Sequence, residues 1–268
     1  MLILLGIILL LCLFFVFSVN GNRGNPGLTE LRAWFYAHRG LHGEGVPENS
    51  MEAFRLAKDA GYGIELDVHL LKDGNLAVIH DSSLLRTAGE DVPVESLTAE
   101  ELSRYRLQGT MQRIPLFQQV LDLYQGAAPL IVELKSVGNN HEALCQAACK
   151  MLDSYQGSYC LESFDPRCVY WLKKNRPELI RGQLVDNFLK SKSDLPLPLK
   201  FAIRHQVFNF LTRPDFIAYR FEERQTISNR IAREFWGVQG VSWTLKKQED
   251  FDTALAEGWI PIFEGFRP

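Results

Sequence analysis

The sequence predicts an α/β protein, a (β/α)8 barrel preceded by one N-terminal transmembrane helix. Three observations carry that reading. Apolar runs closing in polar residues alternate with amphipathic stretches from about residue 31 to the end, eight such runs occur, and no charged residue precedes Arg23. Strand–helix alternation builds a parallel sheet, and eight units in a segment of this length suit a closed barrel of about 250 residues. A doubly wound open sheet is the competitor, but no G-x-G-x-x-G or P-loop turn follows any of the runs.

The first element is the stretch 1–19, MLILLGIILLLCLFFVFSV, long enough as a helix to cross roughly 30 Å of hydrocarbon. A cleaved signal peptide would show a basic start, a shorter apolar core and a small-x-small cleavage site, none of which is convincing here. Leu9, Leu10 and Leu11 before Cys12 do not make a lipobox. The expectation is an uncleaved, single-pass membrane anchor. Arg23, Arg32 and Arg39 all follow it, which slightly favours a cytoplasmic barrel. The Gly/Asn/Pro-rich segment 20–30 is expected to be a linker, and 31–268 the barrel domain.

The eight predicted strands lie at 33–40, 63–70, 130–136, 159–164, 180–185, 216–221, 240–244 and 260–265. Helical periodicity is visible at 48–61, 115–124, 141–155, 226–237 and 248–258, whereas 186–215 has no clear pattern. Asp73-Gly74 between two apolar runs predicts a two-residue hairpin, in which paired positions sum to 147 and His80 stands opposite Asp67. Composition narrows the function. With 46% hydrophobic residues and 29 Lys+Arg against 32 Asp+Glu, the chain is neither disordered nor a dedicated nucleic-acid binder. Five cysteines without C-x-x-C or zinc-like spacing read as free structural thiols.

Active sites of such barrels lie where strands end. Glu65 and Asp67, two apart, share one face of the second strand, and Glu133 and Lys135 do the same on the third. Carboxylates gathered there repel one another and need a cation or protons. All-oxygen ligation by Glu65, Asp67 and Glu133 suits one divalent cation, Mg2+ or Ca2+, better than Zn2+. His38 and His80 close apolar runs beside those acids and fit general acid–base roles. Arg39 and Lys135 bring positive charge for an anion such as phosphate. Together these residues point to metal-assisted phosphoryl chemistry.

The series HRG (38–40), PENS (47–50), ELDV (65–68), KDG (72–74), VIHD (78–81), LLRT (84–87), ELK (133–135), SFDP (163–166) and WT (243–244) resembles the glycerophosphodiester phosphodiesterase family. The resemblance implies a TIM barrel that hydrolyses glycerophosphodiesters to glycerol 3-phosphate and an alcohol. It places His38 and His80 on the acid–base histidines, Glu65, Asp67 and Glu133 on the metal ligands, and Arg39 and Lys135 on the phosphate-holding residues. Phe164 and Trp243 match aromatics on the glycerol and alcohol side, while Glu48 and Asn49 brace the site.

Departures from the family pattern are Leu71 in place of Thr before KDG, Ala88 after LLRT, and an ending, IPIFEGFRP, without the usual Thr-Asp-x-Pro. Glu264 is a candidate for part of that ending's polar role. His69 is expected to reach the phosphate from the face of Glu65 and Asp67; His42, His141 and His205 are expected at the surface or in structural positions. Two other readings accompany the principal one: a membrane-anchored lysophospholipase D-type or cyclising phospholipase on the same barrel, and a non-catalytic membrane-tethered binding domain.

Overall fold

A computed structural model describes residues 1–187 and 196–268. Eight parallel strands close on themselves: β1 (Tyr36–His38), β2 (Gly63–Leu70), β4 (Leu130–Leu134), β5 (Tyr159–Ser163), β6 (Arg181–Val185), β7 (Phe216–Arg220), β8 (Gln239–Leu245) and β9 (Ile260–Phe263). Each pairs with its neighbour, and β1 joins both β2 and β9, which seals the cylinder. A short β3 (Leu76–Val78) hangs antiparallel from β2. This is a TIM barrel.

Strand alternation sorts the residues. On β2 and β4, Ile64, Leu66, Val68, Leu130, Val132 and Leu134 point outward into one apolar cluster with Phe54 and Phe117 of the surrounding helices. Burying a side chain of that size stabilises the fold by roughly 1.5–3 kcal/mol. The alternate residues point inward and divide by height. Near the strand starts, Tyr36, Ile131, Cys160, Phe216, Val241 and Ile260 form an apolar floor. Nearer the strand ends lie the acids. Close packing constrains the wall: a Cβ on Gly63 would stand 2.8 Å from the Tyr36 ring.

The helices run Met51–Asp59, Phe117–Tyr124, His141–Leu152, Pro166–Asn175, Leu197–Arg204, Asn209–Thr212 and Gln248–Ala256. Ser50 caps the first by accepting from Ala53 N at 3.1 Å, which fixes the loop that leaves β1. Pro166–Asn175, absent from the predicted helices, starts on the Asp165 cap with Pro at its first turn. The predicted helix 226–237 is broken into Ile227–Arg230 and a π-helical turn, Ile231–Phe235.

Two expectations need correction here. The hairpin pairs Val68 with Val78 and Leu70 with Leu76, a sum of 146 rather than 147. Its loop holds three residues, Lys72 to Gly74, closed by Leu71 N donating to Asn75 O at 2.8 Å, with Gly74 left-handed at φ 87°. A one-residue slip moves every partner, so His80 is not the cross-strand partner of Asp67; instead Ile79 N donates to Asp67 O.

The second correction concerns the N-terminus. Its helix spans Leu2–Ser18, 17 residues, and among the described residues no helix is long and apolar enough to cross a membrane. At 1.5 Å per residue it reaches about 25 Å, short of the ~30 Å core. Its last turn belongs to the barrel instead. Ser18 and Val19 are fully buried, Trp236 Nε1 donates to Val16 O, and the Phe14 and Phe17 rings meet Phe210. The segment that follows is equally docked: Asn22 and Asn25 both donate to Asp215 Oδ1 at 3.1 Å, and Leu28 and Leu31 plug the apolar floor. The N-terminal segment therefore joins the barrel at the end opposite the acids.

Candidate active site

The mouth is assembled from strand ends. β1 delivers His38 and then turns through left-handed Arg39 (φ 54°) and Gly40 (φ 81°). Only glycine suits residue 40, because a Cβ there would meet the Ala53 carbonyl group below 3 Å. The same turn meets Asn49, itself left-handed, whose backbone N donates to Arg39 O while Nδ2 donates to Asp67 Oδ2 at 2.8 Å. HRG and PENS thus lock to each other and to β2.

Glu65, Asp67 and Glu133 lie side by side, all buried, each offering a carboxylate oxygen within 4.8 Å of the others. The β2–β4 register, with Asp67 opposite Glu133, dictates this. Lys135 reaches back over the group, its Nζ 3.1 Å from Asp67 Oδ1 and 2.8 Å from Glu133 Oε1. Arg39 Nε stands 3.3 Å from Asp67 Oδ2, and its Nη1 donates to Glu48 at 2.9 Å. A fourth buried acid, Glu162, pairs in register with Glu133 on β5. Sequence reasoning missed it, although the inward period of Y-C-L-E-S would have placed it.

Charge balance tests whether a cation belongs here. Among the described residues, four buried carboxylates face two fixed cations, Arg39 and Lys135. Burial pushes the Glu65 and Glu162 carboxyls well above their usual range, and their acidic neighbours add to it. Burial likewise raises Glu133 to about 7, against the pull of Lys135. Asp67 goes the other way: burial raises it, but Lys135, His80, Arg39 and the Asn49 hydrogen bond together hold it well below normal. A divalent cation supplies the missing charge, and the residues fit one. The donor set is all oxygen, as hard Mg2+ or Ca2+ requires.

The histidines flank this group, each backed by an acid. His38 Nδ1 bonds Glu264 Oε2 at 2.5 Å, and its Nε2 faces Glu65 Oε2 at 3.8 Å. His80 Nδ1 bonds Asp81 Oδ1 at 2.6 Å. Carboxylates only accept, so Nδ1 carries the proton in both rings and Nε2 is left basic. Burial lowers both imidazoles, while Glu264 and Asp67, respectively, pull them back up. Arg86 ties Asp81 to Glu48, donating to the latter at 2.7 Å, so the two arms share a frame.

Phe164 and Trp243 meet edge to face at 5.9 Å and 88°. Lys135 Nζ sits 5.9 Å from the Phe164 ring centre and the Arg220 guanidinium 5.2 Å from that of Trp243. His69 is corrected: it is buried, with Nδ1 on Glu95 at 2.6 Å and Nε2 donating to His80 O at 3.1 Å, so it braces His80 and cannot turn to a phosphate. His42, expected at the surface or in a structural position, is half-buried beside Glu264.

Comparison with known proteins agrees. The family model described as the glycerophosphoryl diester phosphodiesterase family matches residues 38–264. A glycerophosphodiester phosphodiesterase of Caldanaerobacter subterraneus subsp. tengcongensis is 28% identical over 232 residues, 83% of this chain and 89% of the relative. One from Bacillus altitudinis is 43% identical over 108 residues, 37% of this chain and 43% of the relative. A rat protein named lysophospholipase D GDPD1 is 30% identical over 174 residues, 60% of this chain and 49% of the relative. The chain thus matches less than half the length of the latter two. Among solved structures, an Oleispira antarctica phosphodiesterase in complex with sn-glycerol-3-phosphate superposes with a TM-score of 0.70 at 20% identity, over 86% of this chain and 92% of that one. By sequence and by fold, the chain belongs to the glycerophosphoryl diester phosphodiesterase family of phosphoric diester hydrolases.

Proposed function

We propose that this protein hydrolyses glycerophosphodiesters to glycerol 3-phosphate and an alcohol, with His38 and His80 as its acid–base pair. The observation that carries the proposal is the pairing of two carboxylate-backed imidazoles with one buried trio of oxygen ligands. When bound by Glu65, Asp67 and Glu133, Mg2+ or Ca2+ would act as a Lewis acid toward phosphoryl and hydroxyl oxygens. Arg39 and Lys135 neutralise the phosphate and orient it. One imidazole Nε2 accepts the proton of the attacking glycerol hydroxyl, and the other histidine donates to the departing alcohol. An internal hydroxyl enjoys a large effective concentration over water. In the second half the roles exchange: water opens the cyclic phosphate as its proton leaves to the other ring. Phe164 and Trp243 wall the glycerol and alcohol side. The test is the purified full chain with glycerophosphocholine and Mg2+, Ca2+ or chelator. Release of glycerol 3-phosphate that chelator abolishes is expected; activity indifferent to chelator and to His80→Ala overturns the proposal.

A second reading, hydrolysis of single-chain lysophospholipids, has one observation in its favour. A groove of about 1260 Å3 runs from Glu133, Lys135 and Phe164 past Trp171 to Ile203, Phe208 and Leu211. It leads from the mouth toward the helix that carries Phe210, where the N-terminal helix docks. An acyl chain laid there would remove apolar surface from water, roughly 0.8 kcal/mol per buried methylene. Rates on lysophosphatidylcholines that climb with chain length, and fall selectively in Ile203→Trp, are expected on this reading; equal rates at every chain length exclude it. We further propose that the exposed apolar side chains from Leu2 to Phe17 seat in lipid, with the barrel on the cytoplasmic side of a cell membrane. Flotation of the full chain with phosphatidylcholine vesicles tests the seating, and failure to float refutes it.

A further inference from the structure

We infer that His38, His42 and Glu264 form a second cation site, suited to a borderline transition ion such as Zn2+, and that filling it silences His38. The silencing rests on the acid–base role proposed for His38; the binding does not.

Geometry is the first argument. His38, His42 and Glu264 each offer a ligand atom, all within 4.8 Å of one another. Glu264 Oε2 stands 2.5 Å from His38 Nδ1 and 3.8 Å from His42 Nε2. Around a tetrahedral ion with bonds of about 2.0–2.1 Å, ligand atoms sit roughly 3.3 Å apart. The two Glu264 spacings bracket that value, and the two imidazole nitrogens lie within 4.8 Å of each other.

One ring nitrogen of the trio is also left without a close partner. His42 Nε2 is buried and makes no full-strength hydrogen bond among the described residues; the Glu264 carboxylate that interacts with it stands 3.8 Å away. A buried ring nitrogen in that state is costly unless something occupies the gap. The carboxylate has one oxygen to spare for it. Lys246 Nζ holds Oε1 at 2.8 Å, which leaves Oε2 for the histidines. Side chains of all three residues are 14–20% exposed, so an ion can reach them from the mouth.

Chemistry decides which ion. Two imidazoles and one carboxylate with a fourth position open to water is a zinc donor set, whereas hard ions avoid nitrogen. The neighbouring trio is the converse, all oxygen. The barrel mouth thus carries two adjacent sites of different hardness. Among the described residues, Lys246 and Arg39 are positive groups nearby; both oppose a cation, so occupancy depends on the nitrogen ligands.

The consequence follows from proton bookkeeping. To bind an ion, His38 Nδ1 must lose the proton it shares with Glu264 and give up that lone pair. In the neutral ring that proton moves to Nε2, which then has no lone pair with which to accept another, so the proton cycle stops although Glu65, Asp67 and Glu133 are untouched. Extra Mg2+ should not relieve such a block.

The test uses the full chain saturated with Mg2+. Co2+ added to it is expected to give the strong visible absorption of a four-coordinate ion, at one equivalent, and His42→Gln and His42→Ala to abolish it. Zn2+ should inhibit glycerophosphocholine hydrolysis at a concentration that Mg2+ does not shift. Both His42 variants should keep their Mg2+-supported activity within about twofold while needing about 100-fold more Zn2+, since a ligand is lost. Unchanged Co2+ absorption in both variants, relief of inhibition by Mg2+, or unaltered Zn2+ sensitivity overturns the inference. If the chain hydrolyses nothing but the His42-dependent absorption appears, the site stands and the proposed function falls.

Discussion

The two sides of the mouth hold the same side chain in different ways. On the β1–β9 side, His38 is braced by Glu264, which follows a barrel strand and is tied in turn to Lys246. On the β2–β3 side, His80 sits on a loop, braced by Asp81, which Arg86 clamps, and by His69 from beneath. His38 is 14% exposed at its side chain and His80 33%. One imidazole is built into the wall and the other stands on a scaffold over it. The first therefore depends on a single carboxylate, while the second draws on a network that can lose one member.

That contrast can be broken by graded substitutions. His38→Ala and His80→Ala should each lower kcat on glycerophosphocholine by about 10²–10⁴, the usual worth of an acid–base group; similar losses are expected, because each proton must move once per half reaction. Next in size, Glu264→Gln should cost about 10²-fold in kcat with little change in KM, because an amide neither fixes the tautomer nor stabilises the imidazolium, whereas Asp81→Asn should cost about tenfold. Equal losses would show that the two arms are held alike. His69→Ala should cost less activity still but destabilise the fold by about 1–3 kcal/mol, since Glu95 and His80 O lose their partner; urea unfolding reads it.

The smallest effect concerns Glu133, whose carboxyl burial raises from 4.5 to about 7. A raised acid stabilises the fold fully below pH 4.5 and loses that contribution as pH climbs through 7. The Tm of the metal-free chain should therefore fall by a few degrees between pH 5 and 7.5. Added Mg2+ or Ca2+ should restore it more at pH 7.5 than at pH 5. A Tm that is flat with pH and indifferent to metal would remove the argument from charge balance.

Strand positions were readable because barrel strands are continuous apolar runs, and GIELDVHL spans β2 to the residue. The Glu65, Asp67 and Glu133 trio was readable too, since a period of two and a parallel register leave inward acids nowhere else to go. What failed was one local choice and two distant contacts. A hairpin loop of two or of three residues looks the same around Asp73-Gly74, and the difference shifts His80. His69 shares the face of Glu65 and Asp67, but Glu95, 26 residues away, captures it. Glu264 and His42 are 222 positions apart and meet only when the cylinder closes, so nothing near either residue announces the contact. The N-terminal stretch reads as a full span because its apolar run continues to Val19, whereas the helix stops at Ser18 with its last turn packed on the barrel.

The docking of Asn22 and Asn25 on Asp215, and of Leu28 and Leu31 into the floor, fixes where the chain can safely be shortened. A cut at residue 28 would strip both amides from a carboxylate that also accepts from Arg181 N, unlacing the base of β6 and β7. The functional boundary of the folded unit lies ahead of Ser18, so trimming that spares the catalytic end could still loosen it from below.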